Sequence, residues 1–316
     1  MKKILLAILV LSFILPVMAD AKKRRSFKDS EWDQGGDTCK SSEKCTFTRK
    51  DTFPGGIPVE VQIVALGGQR ANVDAVIDRT FQEMKRIASS LDETNPSSDI
   101  SKVNDSSGRG FVEVSPEMIR LLSAVKKCNL WTDGAFDITT TPDIGKFKHI
   151  KVAKNLVFLK KDGMRISVKN IIHGFLADLT AKTIYAANIN DFYIQIGPVI
   201  RTMGTSVVGN WRADVFDADG GYARHGVSLD ISSTSVASVI KDENAPMFDP
   251  RWSTPIFSPQ LKRVTIIAKD AAIAEAVAHG VYILGPHKGI ALVGKLQTVK
   301  GIVVDLFGNF WKSVGL

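Results

Sequence analysis

Phe192-Tyr-Ile-Gln-Ile196 opens a succession of strand-like segments: Trp211 to Phe216, Gly226 to Ile231, Val236 to Ile240 and Val264 to Ile267. Only then does a clear helix follow, Ala271 to Leu284, ended by Gly285-Pro286. Upstream, Val59-Glu-Val-Gln-Ile-Val64 alternates as a half-buried strand. Apolar residues at Val73, Val76, Ile77, Thr80, Phe81, Met84, Ile87 and Ala88 then predict a helix from Val73 to Leu91. Ser115-Pro-Glu-Met starts another with Ser as N-cap and Pro at the first helical position, and it runs to Trp131. Strands at 155–158 and 164–168 lead into a helix from Gly174 to Ala187, and 298–305 with 309–313 form a terminal hairpin. Strands and helices mix without regular βαβ alternation, which predicts an α+β fold rather than a doubly wound sheet. No Gly-x-Gly-x-x-Gly follows a strand, which removes the Rossmann route to a dinucleotide.

The first 21 residues read as a signal peptide: Lys2 and Lys3 precede the apolar run Ile4 to Leu15, and Pro16-Val-Met-Ala19 supplies small residues at cleavage spacing. The run falls short of the roughly 20 apolar residues of a bilayer span, so no transmembrane segment is expected after cleavage. The expected location is outside the cytoplasm, in the periplasm or cell envelope. Residues 22–45 are polar and read as a flexible arm, and 46–316 as one domain. An exported chain permits a disulfide, and a small loop closed by Cys39 and Cys45 is one reading, three free thiols the other. Cys128 occupies an apolar helical position, the usual place of a buried thiol. The formal net charge of +8 is partly local to Lys22–Arg25, with the rest interspersed among Asp and Glu. A nucleic-acid partner is not expected, because such binding wants basic residues interleaved with aromatics on one face. Attraction to anionic headgroups or a phosphate-rich ligand is allowed.

Four phrases carry the chemistry: Ser98-Asp-Ile-Ser-Lys-Val-Asn104, Gly134-Ala-Phe-Asp137, His173-Gly-Phe-Leu-Ala-Asp178 and Glu275-Ala-Val-Ala-His279. In this order they resemble the ApbE family, the FAD:protein FMN transferases, over roughly residues 55 to 316. The resemblance implies a single ApbE-like, T-fold-related domain, with mixed, mainly antiparallel sheets packed by helices. It also implies FAD as substrate or ligand and a divalent metal, usually magnesium. FMN would be transferred from FAD to a Ser or Thr of an exported or membrane-bound flavoprotein acceptor, with release of AMP, or FAD would be hydrolysed.

Ser98 and Asn104 fit the family's Ser-x-Ile-Ser-x-x-Asn segment near the flavin, and equally a turn with an N-cap. Thr94 stands where the family commonly stacks a Tyr on the flavin ring, and losing that face weakens ring binding. Phe136 and Asp137 belong to an unchanged phrase, in which Phe lines a pocket or fills the core and Asp receives loop amides. His173 replaces the family's Lys and is mostly neutral at pH 7 unless its site charges it. Gly174 at the helix entrance allows a phosphate to approach backbone amides. Asp178 reads as a capping or surface carboxylate rather than a catalyst. Gly197 survives from a Gly-rich loop in which Pro198 removes one amide donor. Asp249 matches a family Asp, whereas the proton-handling His nearby is replaced by Pro246.

For the metal, the resemblance places ligands at Glu275, His279 and the carbonyl of Ile172. A helix puts i and i+4 on one face, and Glu with His suits zinc, manganese or iron better than magnesium. A solvated Glu–His pair is the plain alternative. The expected catalytic groups are thus His173 and Asp249. The expected function is FMN transfer or FAD hydrolysis. The alternatives are a catalytically impaired flavin or nucleotide-binding protein of the same fold, and a fold kept for protein contact.

Overall fold

The structure, a computed structural model, describes residues 39–53, 56–215, 227–240, 247–256 and 261–316. The expected signal peptide, most of the polar arm and Pro246 lie outside the described residues. Strands β1 (Lys44–Phe53) and β2 (Ile57–Leu66) precede helices α1 (Arg70–Ser90) and α2 (Asp99–Asp105). Then come β3 (Val112–Glu113), α3 (Pro116–Trp131), β4 (Ile150–Ala153), β5 (Leu156–Leu159) and α4 (Ile172–Ala186). A run of strands follows: β6 (Phe192–Ile196), β7 (Val199–Met203), β8 (Trp211–Val215), β9 (Val227–Ile231) and β10 (Ser235–Ile240). The chain continues through β11 (Phe248–Asp249), β12 (Thr254–Pro255), β13 (Leu261–Ala268), α5 (Ala271–Lys295), β14 (Val299–Asp305) and β15 (Phe310–Lys312).

Eight strands form one sheet in the order β1-β2-β6-β7-β10-β13-β14-β15. Each neighbouring pair is antiparallel. The period-2 alternation of β6 sends Phe192, Ile194 and Ile196 into the main core, while Tyr193 joins Trp211, Ala213 and Ile231 in a second cluster beneath the β8–β9 ribbon. The sheet is therefore covered on both faces. α5 packs against β13, β10 and β14 and against α4. Its Ala-rich first half is buried around its circumference, the pattern of an enclosed helix. No helix among the described residues is long and apolar enough to cross a membrane.

The α+β expectation holds, and the stripe of α1 is the buried one: Val73, Val76, Ile77, Thr80, Phe81, Met84 and Ile87. Ser115 caps α3 by accepting from the Met118 amide, with Pro116 next. Four local expectations need correction. Residues 164–168 form no strand beyond an isolated Thr139–Ile166 bridge, because the Asn104 side chain supplies the partner a strand would have given. It accepts from Ile166 N–H at 2.7 Å and donates to Ile166 C=O at 3.0 Å. Val199–Met203 is a strand, joined to β6 by the two-residue turn Gly197-Pro198, with Gly197 at φ 52° as the first turn position requires. Gly285 (φ 78°) breaks α5 without ending it, since Pro286 starts a second helical run. Finally, β1 begins at Lys44, inside the expected arm, while the Cys39–Cys45 disulfide is the first of the two readings left open for those thiols.

Candidate functional site

His173 is the second residue of α4, and its ring Nδ1 lies 2.7 Å from Glu275 Oε1. The other oxygen of Glu275 accepts the Gly174 N–H at 2.7 Å. Glu275 is 2% exposed, so its carboxylate is held by these two groups from α4 rather than by water. The free edge of His173 faces the β6–β7 turn: a methyl group placed on Gly197 would stand 3.8 Å from Nε2. Nε2 has no hydrogen-bond partner among the described residues.

The contact between α4 and α5 is reciprocal. Asp178 of α4 accepts the Ala271 and Ala272 amides at 2.9 and 3.0 Å, satisfying orphan donors at the start of α5. Glu275 of α5 does the same for the start of α4. Gly174 permits the approach, since a Cβ there would lie 2.3 Å from the Ala271 carbonyl oxygen. Burial pushes the Asp178 carboxyl up to about 6, partly offset by the two amides and by Arg201, whose Nε is 3.8 Å away.

One turn beyond Glu275, His279 has its Nδ1 buried without a partner. Burial lowers its pKa to about 4; the Glu275 charge opposes this and His173 adds to it. Among the described residues no group of three or more His, Cys, Asp or Glu side chains could hold a metal ion. The carbonyl of Ile172 belongs to the first turn of α4, and Glu275 already accepts two donors. Of the expected set of Ile172, Glu275 and His279, Glu275 is shared with two donors of α4 and His279 Nδ1 is unpartnered, so an ion held there would share the carboxylate with His173 and Gly174.

The other expected site residues fall into two linked groups. Ser98 caps α2 by accepting from Ser101 N–H at 3.1 Å, and Asn104 is spent on Ile166, so both shape the loop rather than face a ligand. Thr94 is exposed in a turn, its amide and hydroxyl both bound to Asp92 Oδ1. Glu93 of the same turn pairs with Ser167, tying it to the segment that leads into α4. Phe136 is 2% exposed in the main core, so the expectation that it meets a cofactor is corrected. Asp137 accepts the Thr139 and Phe147 amides, both at 2.9 Å, and burial raises its pKa against those bonds.

Asp249 holds Arg251 through two bonds, Nε to Oδ1 at 2.9 Å and a terminal nitrogen to Oδ2 at 2.6 Å. Burial opposes its ionisation, but the guanidinium and the Arg251 amide outweigh burial and keep the carboxyl below its usual range. Asp249 is thus a fixed anion and a poor proton acceptor, which corrects its expected catalytic role. Lys146 donates to the Arg251 carbonyl and so pins this hairpin over the 134–147 loop. Lys146 is missed by sequence reasoning, because a lysine in a basic run carries no signal of its contact about a hundred positions away.

Taken together, this is a mixed antiparallel α+β domain whose reactive candidate is an imidazole held at a helix start by a buried carboxylate. Residues 56–303 match the ApbE family, and the chain belongs to it. It is 24% identical over 261 residues to an FAD:protein FMN transferase of Klebsiella pneumoniae (strain 342), covering 73% of this chain and 82% of that one. An FAD:protein FMN transferase of Haemophilus influenzae is 20% identical over 285 residues, covering 76% and 82%. The fold is that of the flavin transferase ApbE from Vibrio cholerae (TM-score 0.72, 18% identity, 86% of this chain and 98% of that one). It is also that of the apbe protein of Thermotoga maritima (TM-score 0.73, 20% identity, 86% and 97%).

Proposed function

We propose that this protein transfers FMN from FAD to a Ser or Thr hydroxyl of an exported or membrane-bound flavoprotein. Family membership and the two transferase relatives support the reaction class. The apolar run at Ile4 to Leu15 supports export. The observation that carries the reading is His173, with Nδ1 anchored on Glu275 and Nε2 open beside Gly197. Donation from Nδ1–H to the carboxylate leaves the lone pair on Nε2, the arrangement of a general base.

In the proposed step the acceptor hydroxyl oxygen attacks the phosphorus of the FMN half. The phosphorus–oxygen bond to AMP breaks, the hydroxyl proton passes to Nε2, and AMP leaves. A divalent ion held by Glu275 and His279 would supply charge neutralisation at the pyrophosphate, and no step is routed through it. A second reading, a protein that holds flavin without turnover, is favoured by the Asp249–Arg251 lock and by the Gly174 amide being used on Glu275.

The test is incubation with FAD and an acceptor peptide, with and without magnesium or manganese, following AMP release and flavin retained by protein. AMP release that falls at least 100-fold in His173→Gln supports the transferase. Retained flavin without AMP supports the binding protein, and neither signal overturns both.

A further inference from the structure

The small sheet β3-β5-β4 presents a face unlike the rest of the molecule. Between Ile144 and Lys169 the only acidic residue is Asp162. Lys148, Lys151, Lys154, Lys160 and Lys161 are all exposed. None of the five makes a side-chain hydrogen bond or ion pair among the described residues. They are close enough together that Lys148, Lys160 and Lys161 act on His149, whose pKa burial and these charges lower. The charge expected to be interspersed along the chain is therefore concentrated here.

This face is also apolar at its centre. Phe158 of β5 lies opposite Lys151 of β4, and its ring meets that of Phe111 at 5.4 Å. Phe111 is 50% exposed, and Ala153, on the same side of β4 as Lys151, is exposed as well. Nearby carboxylates are few: Glu113 lies beside Asn155, and Asp105 faces Arg165. Aromatic rings ringed by unpaired lysines suit the boundary of a bilayer, where apolar rings enter the headgroup layer and ammonium groups meet lipid phosphates. A nucleic-acid duplex would instead favour several arginine forks that match phosphate and base geometry, and here five lysines stand beside a single exposed arginine, Arg109.

We propose that the outer face of the β3-β5-β4 sheet docks this protein on an anionic lipid bilayer, with Phe111 and Phe158 at the headgroup boundary and the five lysines facing phosphate. The small sheet is tied to the turn after α2 by Gly108 N–H donating to the Leu159 carbonyl, and the turn that leads into β4 is tied to Asp137 by the Phe147 amide.

The test places a polarity-sensitive dye on Ala153→Cys in the full chain, on the same side of β4 as Lys151, so that the signal comes from this face. Vesicles of phosphatidylglycerol and phosphatidylcholine in equal parts are compared with pure phosphatidylcholine. The expected result is a blue shift with the anionic vesicles only, weakened by salt. The apparent affinity should drop at least tenfold when the five lysines are changed to glutamate, with the melting temperature checked for each variant. Phe111→Ser with Phe158→Ser should reduce the shift while leaving the salt dependence. The proposal is overturned by no shift with anionic vesicles, by an equal shift with neutral ones, or by a shift that survives the lysine changes. It is also overturned if duplex DNA at equal phosphate concentration displaces the anionic vesicles.

Discussion

Glu275 Oε1 stands 2.7 Å from His173 Nδ1, joining residues 102 positions apart across the start of α4. The carboxylate thus fixes the imidazole and caps the helix together, so a change at Glu275 affects orientation and stability at once. Glu275→Ala leaves the Gly174 amide and the His173 nitrogen without their partner. It should cost about 3 kcal/mol, read as a lower urea midpoint at constant slope. Glu275→Gln, which keeps an acceptor for Gly174, should cost about half of that.

Asp178 sets a pH dependence of the opposite sign to the usual carboxylate. Its folded pKa of about 6 lies above the value of about 3.9 in an unfolded chain. Its contribution is therefore fully present below about pH 4 and is lost as pH rises through about 6. Asp178→Asn removes this titration. Relative to that variant, the native protein should lose up to about 3 kcal/mol between those two pH values, measured by denaturant unfolding across the range.

His279 acts in the other direction. Its pKa is depressed to about 4, so the stability of the neutral ring is present above about pH 6.5 and is lost as pH falls through about 4. His279→Leu also removes the unpartnered Nδ1. That variant should match the native protein in stability at neutral pH and lose less on acidification, with the gap measured by thermal melting at the two pH values.

Asn104→Ala strips Ile166 of both backbone partners in a buried place. The expected loss is about 2 kcal/mol. Because residues 165–168 run directly into α4, amide exchange at Ile166 and at Gly174 should both accelerate in this variant. Acceleration at Ile166 alone would show that the loop and the helix start are independent.

How much of this was legible in the sequence follows from where each signal lies. The stripe of α1 and the Ser115-Pro116 start of α3 are local patterns, and they appear as read. The segment 164–168 departs from its strand pattern because a side chain, Asn104, takes the place of a neighbouring strand. Gly197-Pro198 looked like a ligand loop because a hairpin turn needs the same residue types. At the site, Glu275 and His279 were read together because i,i+4 spacing is visible, whereas the group that takes Glu275 lies on another helix. Asp178 was legible as a cap, but the helix that it caps was not.

The mutual caps between α4 and α5 close loops of about a hundred residues: Gly174 to Glu275 spans 101 positions, and Ala271 to Asp178 spans 93. Contacts that distant form late in folding, after the entropy of closing the intervening chain has been met. The imidazole of His173 therefore gains its orientation only when the second half of the chain has docked on the first. A partly folded or truncated chain has the residues of the site without its geometry, and so cannot act on a ligand before folding is complete.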